Sequence, residues 1–192
     1  MSLTLITPPA AEPVALVDAK SHLRVDTTDE DTLITALITA AREWAEEIQA
    51  RAYITQTWEL VLDEFPESDE IRLPRPPLLS VVSVKYKDES GSETTWDASN
   101  YIVDTDREPG RLVLAANKSW PLVTLYPAAG IRVRFTAGFG TTADDIPERI
   151  KAAIKLLLGH LYEHREAVSE TRLNEIPLGA KRLLQLDKMV RI

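Results

Sequence analysis

The residues of this chain best suited to chemistry lie in one stretch. His160, Glu163 and His164 spell H-x-x-E-H. On a helix, histidines four apart share a face and can reach one zinc ion, and a glutamate beside them can act as general base. This is the inverted zinc-hydrolase signature. A catalytic zinc also needs a third protein ligand and an open position. Of the three histidines, the remaining one, His22, is distant in sequence, so a carboxylate such as Glu166, Glu170 or Glu175 would have to serve. Too little chain follows His164 for a subdomain of helical zinc ligands, and Arg165 is a poor neighbour for a dication. The sequence favours the plainer reading, the polar end of an amphipathic helix. No catalytic residue, metal or cofactor is expected.

Other chemistries have weaker support. The absence of cysteine removes disulfides, thiolate zinc sites and cysteine nucleophiles. A net charge of -8 argues against a general nucleic-acid binder. Gly138 and Gly140 are too few for a phosphate loop, and the helix they precede is headed by Asp144 and Asp145, which repel phosphate. Lys85, Lys87, Arg132 and Arg134 lie on strands with aromatics nearby and could suggest nucleic-acid stacking. Alternation instead places them on the solvent face of a half-buried sheet. No apolar run approaches the length of a bilayer span, and MSLTLITPPAAEP lacks the form of a signal peptide. The expectation is a protein made and used in the cytoplasm, or in an assembly built there.

The H-x-x-E-H stretch belongs to an amphipathic helix predicted over 144–167. Its Ile150, Ile154, Leu157, Leu158, Leu161 and Tyr162 recur at helical spacing, and Pro147 fits its first turn. Near the start, Leu16, Ala19, Lys20 and Leu23 suit a short helix. Thr27 and Glu30 have the form of a capping box. The helix that box would open carries the stripe Leu33, Ile34, Leu37, Ile38, Ala41, Trp44, Ala45 and Ile48. From about residue 55 the period changes to two, as in Trp58, Leu60 and Leu62, and again in Ile131, Val133 and Phe135. The order helices, strands, helices predicts an α+β fold. A helical domain is built from both chain ends, with long amphipathic helices and a short C-terminal one, and a small antiparallel β domain is inserted. The expected bounds are 1–54, 55–141 and 142–192.

An acidic chain thus closes on a basic, apolar tail, AKRLLQLDKMVRI. Such a segment can order against a partner or pack on its own helical domain.

Several stretches, in order and covering nearly the whole chain, carry a family resemblance. They are AKSHLRVD with DEDTLITALITAAREWAE, ITQTWELVLDEFP with IRLPRPPLLSVVSVKYKD, WDASNYIVDTDREPGRLVLA with KSWP, RVRFTAGFG, and IPERIKAAIKLLLGHLYEHRE. With these the chain resembles the head–tail connector (adaptor) proteins of tailed bacteriophages and phage-derived gene transfer agents. The ending LLQLDKMVRI keeps Leu183 and Leu184 of the family's closing pattern but lacks its aromatic. The resemblance implies a structural protein of the virion neck, assembled in the bacterial host cytoplasm and without membrane contact. Its partners would be the portal protein, further copies of itself in a ring of usually about twelve, and the next neck protein (a stopper) or tail protein. Double-stranded DNA would pass through without sequence-specific binding. The implied portal-docking residues are Lys181, Arg182, Leu183, Leu184, Leu186, Met189 and Arg191. Glu43, Glu46 and Glu47 are candidates for a channel-lining or inter-subunit helix face. The competing readings are a zinc-dependent hydrolase using His160, Glu163 and His164, and a stopper or tail-terminator protein.

Overall fold

The two hydrophobic periods sort the chain into two units. A helical unit comprises Ala10–Ile54 and Gly140–Ile192, and a β unit comprises Met1–Pro9 and Thr55–Phe139. The computed structural model describes residues 1–164, 177–186 and 188.

The helical unit contains α1 (Leu16–Leu23), α2 (Asp31–Gln49), α3 (Glu148–Glu163) and α4 (Leu178–Gln185). Its core is the apolar stripe of α3 (Ile150, Ala153, Ile154, Leu157 and Leu158) against that of α2 (Ile34, Ile38, Ala41 and Ala45), all buried. Helix α2 ends where Ala50 takes a left-handed conformation, with φ 55. That reversal sends residues 51–54 into the interior, where Tyr53 and Ile54 are fully buried.

A polar network runs through this core. Arg42, nearly inaccessible, donates from Nε to Glu12 at 2.8 Å and from Nη1 to Glu46 at 2.8 Å. Glu46 also accepts the Tyr53 backbone N–H at 2.8 Å. The Tyr53 hydroxyl donates to Gln49 Oε1 at 2.7 Å, and Gln49 Nε2 donates to the Leu184 carbonyl at 2.8 Å. The segment before α1, the longest helix α2, the segment leaving that helix, and α4 are therefore joined by buried and part-buried hydrogen bonds.

Helix starts differ from the sequence expectation. Glu30 is the N-cap of α2 and makes no side-chain cap; its carboxylate instead accepts the Tyr162 hydroxyl. A capping box does occur at Thr142, where the Asp145 carboxylate accepts the Thr142 N–H and hydroxyl at 2.9 Å each. It heads a 3-10 turn, Ala143–Asp145, so the expected helix from 144 begins as α3 only at Glu148, with Pro147 as N-cap. Residues 165–167 of that expected helix lie outside the described residues. Gly140 is required here by space, since a Cβ would stand 2.2 Å from Asp145 Oδ2.

The β unit has a five-stranded antiparallel sheet in the order β1-β2-β8-β4-β5. Its strands are β1 (Ser2–Thr7), β2 (Gln56–Leu62), β4 (Leu78–Lys87), β5 (Glu93–Trp96) and β8 (Ile131–Ala137). A smaller sheet, β3-β7-β6, is formed by β3 (Glu70–Arg72), β7 (Arg111–Leu114) and β6 (Tyr101–Asp104). Strand β8 is central, and Ile131, Val133, Phe135 and Ala137 are buried as alternation predicts. Strand β1 was not expected. The span 1–54, read as the first part of a helical domain, opens with a strand of the β unit, because Leu3 and Leu5 pair opposite Leu60 and Trp58. In the small sheet, Arg111 on the middle strand binds Glu70 at 2.5 Å and Asp104 at 2.9 Å, one carboxylate from each neighbour. Phe65, Trp96, Tyr101 and Trp120 form an aromatic cluster with ring centroids 5.1 to 6.3 Å apart along its contacts. The Trp120 indole donates to the Ser68 carbonyl at 2.9 Å.

Removing one partner of a buried ion pair leaves the other charge desolvated and unanswered, at about 3–5 kcal/mol. Arg42→Ala is therefore expected to lower unfolding stability by about that amount in urea titration. Glu43→Ala, whose carboxylate is 64% exposed, should change it by well under about 1 kcal/mol.

Candidate functional site

The H-x-x-E-H residues lie at the end of α3. His164 is the C-cap of α3, with φ -115 and ψ 64, and its N–H still donates to the His160 carbonyl, so the two histidines stay side by side at the helix end. Its Nδ1 lies 3.0 Å from the His160 carbonyl oxygen, a contact in which the ring nitrogen donates. The two imidazoles pack 4.7 Å apart, and His160 lies 6.5 Å from the Trp44 ring. Glu163 is exposed. Among the described residues no group of three His, Asp or Glu side chains could hold a metal ion. The carboxylates proposed as a third ligand, Glu166, Glu170 and Glu175, lie outside the described residues.

The tail is a helix with two faces. Ala180 and Leu184 of α4 are buried in the helical unit, and the Gln49 amide holds the Leu184 carbonyl. Leu183 is half-buried, whereas Lys181 and Arg182 are exposed, Leu178 is 69% exposed and Leu186 73%. Leu184 is thereby corrected as a docking residue, because its side chain is core. The outward set is Lys181, Arg182 and Leu186. Met189 and Arg191 lie outside the described residues.

The acidic face of α2 is corrected in the same way. Glu43 and Glu47 are exposed. Glu46 is 5% exposed and is bound by Arg42 and the Tyr53 N–H, so it cannot line a channel. Its partners are 4 and 7 residues away and fold onto it only in the packed unit. The sequence signal available was the i, i+4 spacing of Arg42 and Glu46.

The basic strand residues are engaged with one another's neighbours. Glu59 on β2 takes Arg132 Nη1 at 2.8 Å and Arg134 Nη2 at 2.8 Å from β8. Lys85 binds Glu93 at 2.7 Å, and the Lys87 ammonium lies 4.7 Å from the Tyr126 ring centroid. A face whose cations already have partners releases few counterions on meeting phosphate. Sequence reading placed Arg132 and Arg134 outward but missed Glu59, which alternation puts on the same face. Burial opposes the charge on Glu59, but the hydrogen bonds from Arg134 and Arg132 outweigh it and hold its carboxyl below the ordinary glutamate range.

Comparison with known proteins adds the following. Residues 14–106 match the family model of phage gp6-like head-tail connector proteins, so the resemblance carried by the sequence is shown. No curated protein matches the chain. Among solved structures, the chain is similar to one in the neck of an empty gene transfer agent particle computed with C6 symmetry, with TM-score 0.81 and 25% identity. It is also similar to one in the virion of a native gene transfer agent particle, with TM-score 0.80 and 25% identity. A third, from the neck of a native particle computed with C12 symmetry, has TM-score 0.81 at 23% identity and shares the fold. Each likeness covers 100% of this chain and 97% of the other.

The Glu59 cluster predicts a pH dependence. A carboxyl lowered by folding contributes stability that is complete above its unfolded value and is lost as pH falls through its folded value. Glu59→Gln should cost up to about 1 kcal/mol per ion pair at pH 7, since both arginines are more than 40% exposed. The gap between variant and wild type should close as pH falls below about 4. Denaturant midpoints measured from pH 7 to pH 3 check this; a gap that stays constant would show that Glu59 acts through packing alone.

Proposed function

We propose, from the match of residues 14–106 to the phage gp6-like head-tail connector family, that the chain is the head–tail adaptor of a tailed phage or gene transfer agent. It is a structural neck protein and not an enzyme. The observation that carries this reading is the likeness to chains of gene transfer agent neck and virion structures over 100% of its length. In this role the copies form a ring beneath the portal, with twelve as the expected number, in keeping with the C12 and C6 symmetry of the similar necks. The ring extends the DNA channel and joins the capsid vertex to the next neck or tail protein. Assembly takes place in the host cytoplasm, and the product resides in the particle neck.

The surfaces described above suit the task. Glu43 and Glu47 keep negative charge on the exposed side of α2, which repels phosphate and lets DNA slide with few contacts. Helix α4 offers Lys181, Arg182 and Leu186 outward while Ala180 and Leu184 anchor it. Basic and apolar groups side by side on an anchored helix make a docking face for the portal.

The test is a pull-down of the portal protein encoded in the same gene neighbourhood. Three forms are compared: the full chain, a chain ending at Pro177, and the full chain carrying Lys181→Glu, Arg182→Glu and Leu186→Asp. The triple variant leaves Ala180 and Leu184 in the core, so its fold is kept. Binding by the full chain and a loss of about tenfold or more in both altered forms is expected. Undiminished binding by the triple variant would move the portal interface off α4. No binding by the full chain would overturn the adaptor role.

A further inference from the structure

Three aliphatic residues in the five-stranded sheet fall out of its pairing register, and all three face solvent. Ile6 is the extra residue between Leu5 and Thr7 where β1 pairs with β2. Leu79 and Val82 are the extra residues where β4 pairs with β8. They are 41%, 42% and 56% exposed. A bulge adds an unpaired residue and re-aims its side chain. A bulged aliphatic that served stability would be turned into the core. Here each is turned out, where it gains nothing from burial.

The bulges lie on opposite margins of the sheet. Strand β1 is the terminal strand on one side. On the other side β5 pairs only with residues 84–87 of β4, so among the described residues no strand pairs with residues 79–83 on that side. The β1 sequence SLTLIT has no charge and no proline, and neither has LLSVVS at 78–83. Natural edges are blunted by charge, proline or bulges; these two have bulges alone, and each bulge sets an aliphatic side chain into solvent, which points to a partner for each.

We infer that the two margins are the halves of one head-to-tail contact between copies: Leu5 and Ile6 of one copy pack on Leu79 and Val82 of the next. This rests on the ring proposed above and names its interface. A cyclic ring needs a heterologous contact, with two different patches on different sides of each copy; a self-complementary patch stops at a dimer. Charge favours the same margins. Copies that each carry a net charge of -8 repel, and these stretches let them approach without setting like charges together. The contact is made by side chains, because bulges interrupt the regular ladder that strand addition requires.

The absence of cysteine makes a direct test simple. The double variant Ile6→Cys with Val82→Cys is assembled on the portal protein, treated with a short bismaleimide and run on a denaturing gel. A ladder of covalent species beyond the dimer is expected, with neither single variant giving anything above a dimer. In parallel, Val82→Asp should keep the circular dichroism spectrum and melting temperature of the wild type while ring yield, counted by electron microscopy, falls at least tenfold. Rings that form on the portal without a ladder, and that tolerate Val82→Asp, would overturn this interface and leave the ring intact. A wild-type chain that binds the portal without forming rings would overturn the ring, and this contact with it.

Discussion

A guanidinium taken almost wholly out of water must have its charge answered in place, and the helical unit is arranged around that demand. Arg42 is answered by Glu12 and Glu46. Neither carboxylate is idle otherwise: Glu12 accepts the Thr39 hydroxyl and Glu46 accepts the Tyr53 N–H. From Tyr53 the bonding continues through Gln49 to the Leu184 carbonyl. The helices bring ordinary apolar stripes, which tolerate many relative positions. The network tolerates one, because all its members but the half-buried Glu12 are buried and each shift would leave a polar group unmet. A buried ion pair of this kind adds little net stability over an apolar core, so its value here is specificity. It gives a domain assembled from two ends of a chain a unique way to close.

The β unit meets the same problem at lower stakes. A one-residue slip of a strand would exchange its two faces, so register has to be set by something besides hydrogen bonds of the ladder. Glu59 under two arginines of β8 sets it in the large sheet, and Arg111 between Glu70 and Asp104 sets it in the small one. In the small sheet Arg72 stands directly opposite Arg111, a like-charge pair that is relieved because Glu70 binds both. These pairs are partly solvated and individually weak, but a slip would break several together.

What could be read in advance follows from how local each signal is. The stripes of α2 and α3 and the alternation in β8 are properties of contiguous residues, and the α+β class follows from their order. Strand β1 was missed because Leu3 and Leu5 form a pattern only when Leu60 and Trp58, more than fifty residues on, are set opposite. The capping box expected at Thr27 failed for a similar reason: Glu30 was drawn to the Tyr162 hydroxyl, a partner 132 residues away. Glu46 looked like a surface acid because its neighbours Glu43 and Glu47 are, and only the folded position of Arg42 and Tyr53 makes it interior. In the tail, amphipathicity showed that one face of α4 would be buried but not against what, so Leu184 was grouped with residues that point the opposite way.

The side chains that the two sheet margins offer to association are aliphatic and few. Fully burying one such side chain contributes about 1.5–3 kcal/mol, and the bulge residues already hide about half of theirs. The four side chains at one contact, Leu5 and the three bulge residues, therefore supply only a few kcal/mol, against an association cost of about 4–15 kcal/mol in lost translational and rotational freedom. Two copies meeting freely in solution would not stay together on that contact. Held side by side on a symmetric template, they would meet at a high effective concentration, and the same weak contact would close a ring. In the proposed role, a marginal lateral contact and docking through α4 would be complementary: the first would keep the chain monomeric until the second had placed it. An adaptor with a stronger lateral contact would close rings away from the portal, where they join nothing.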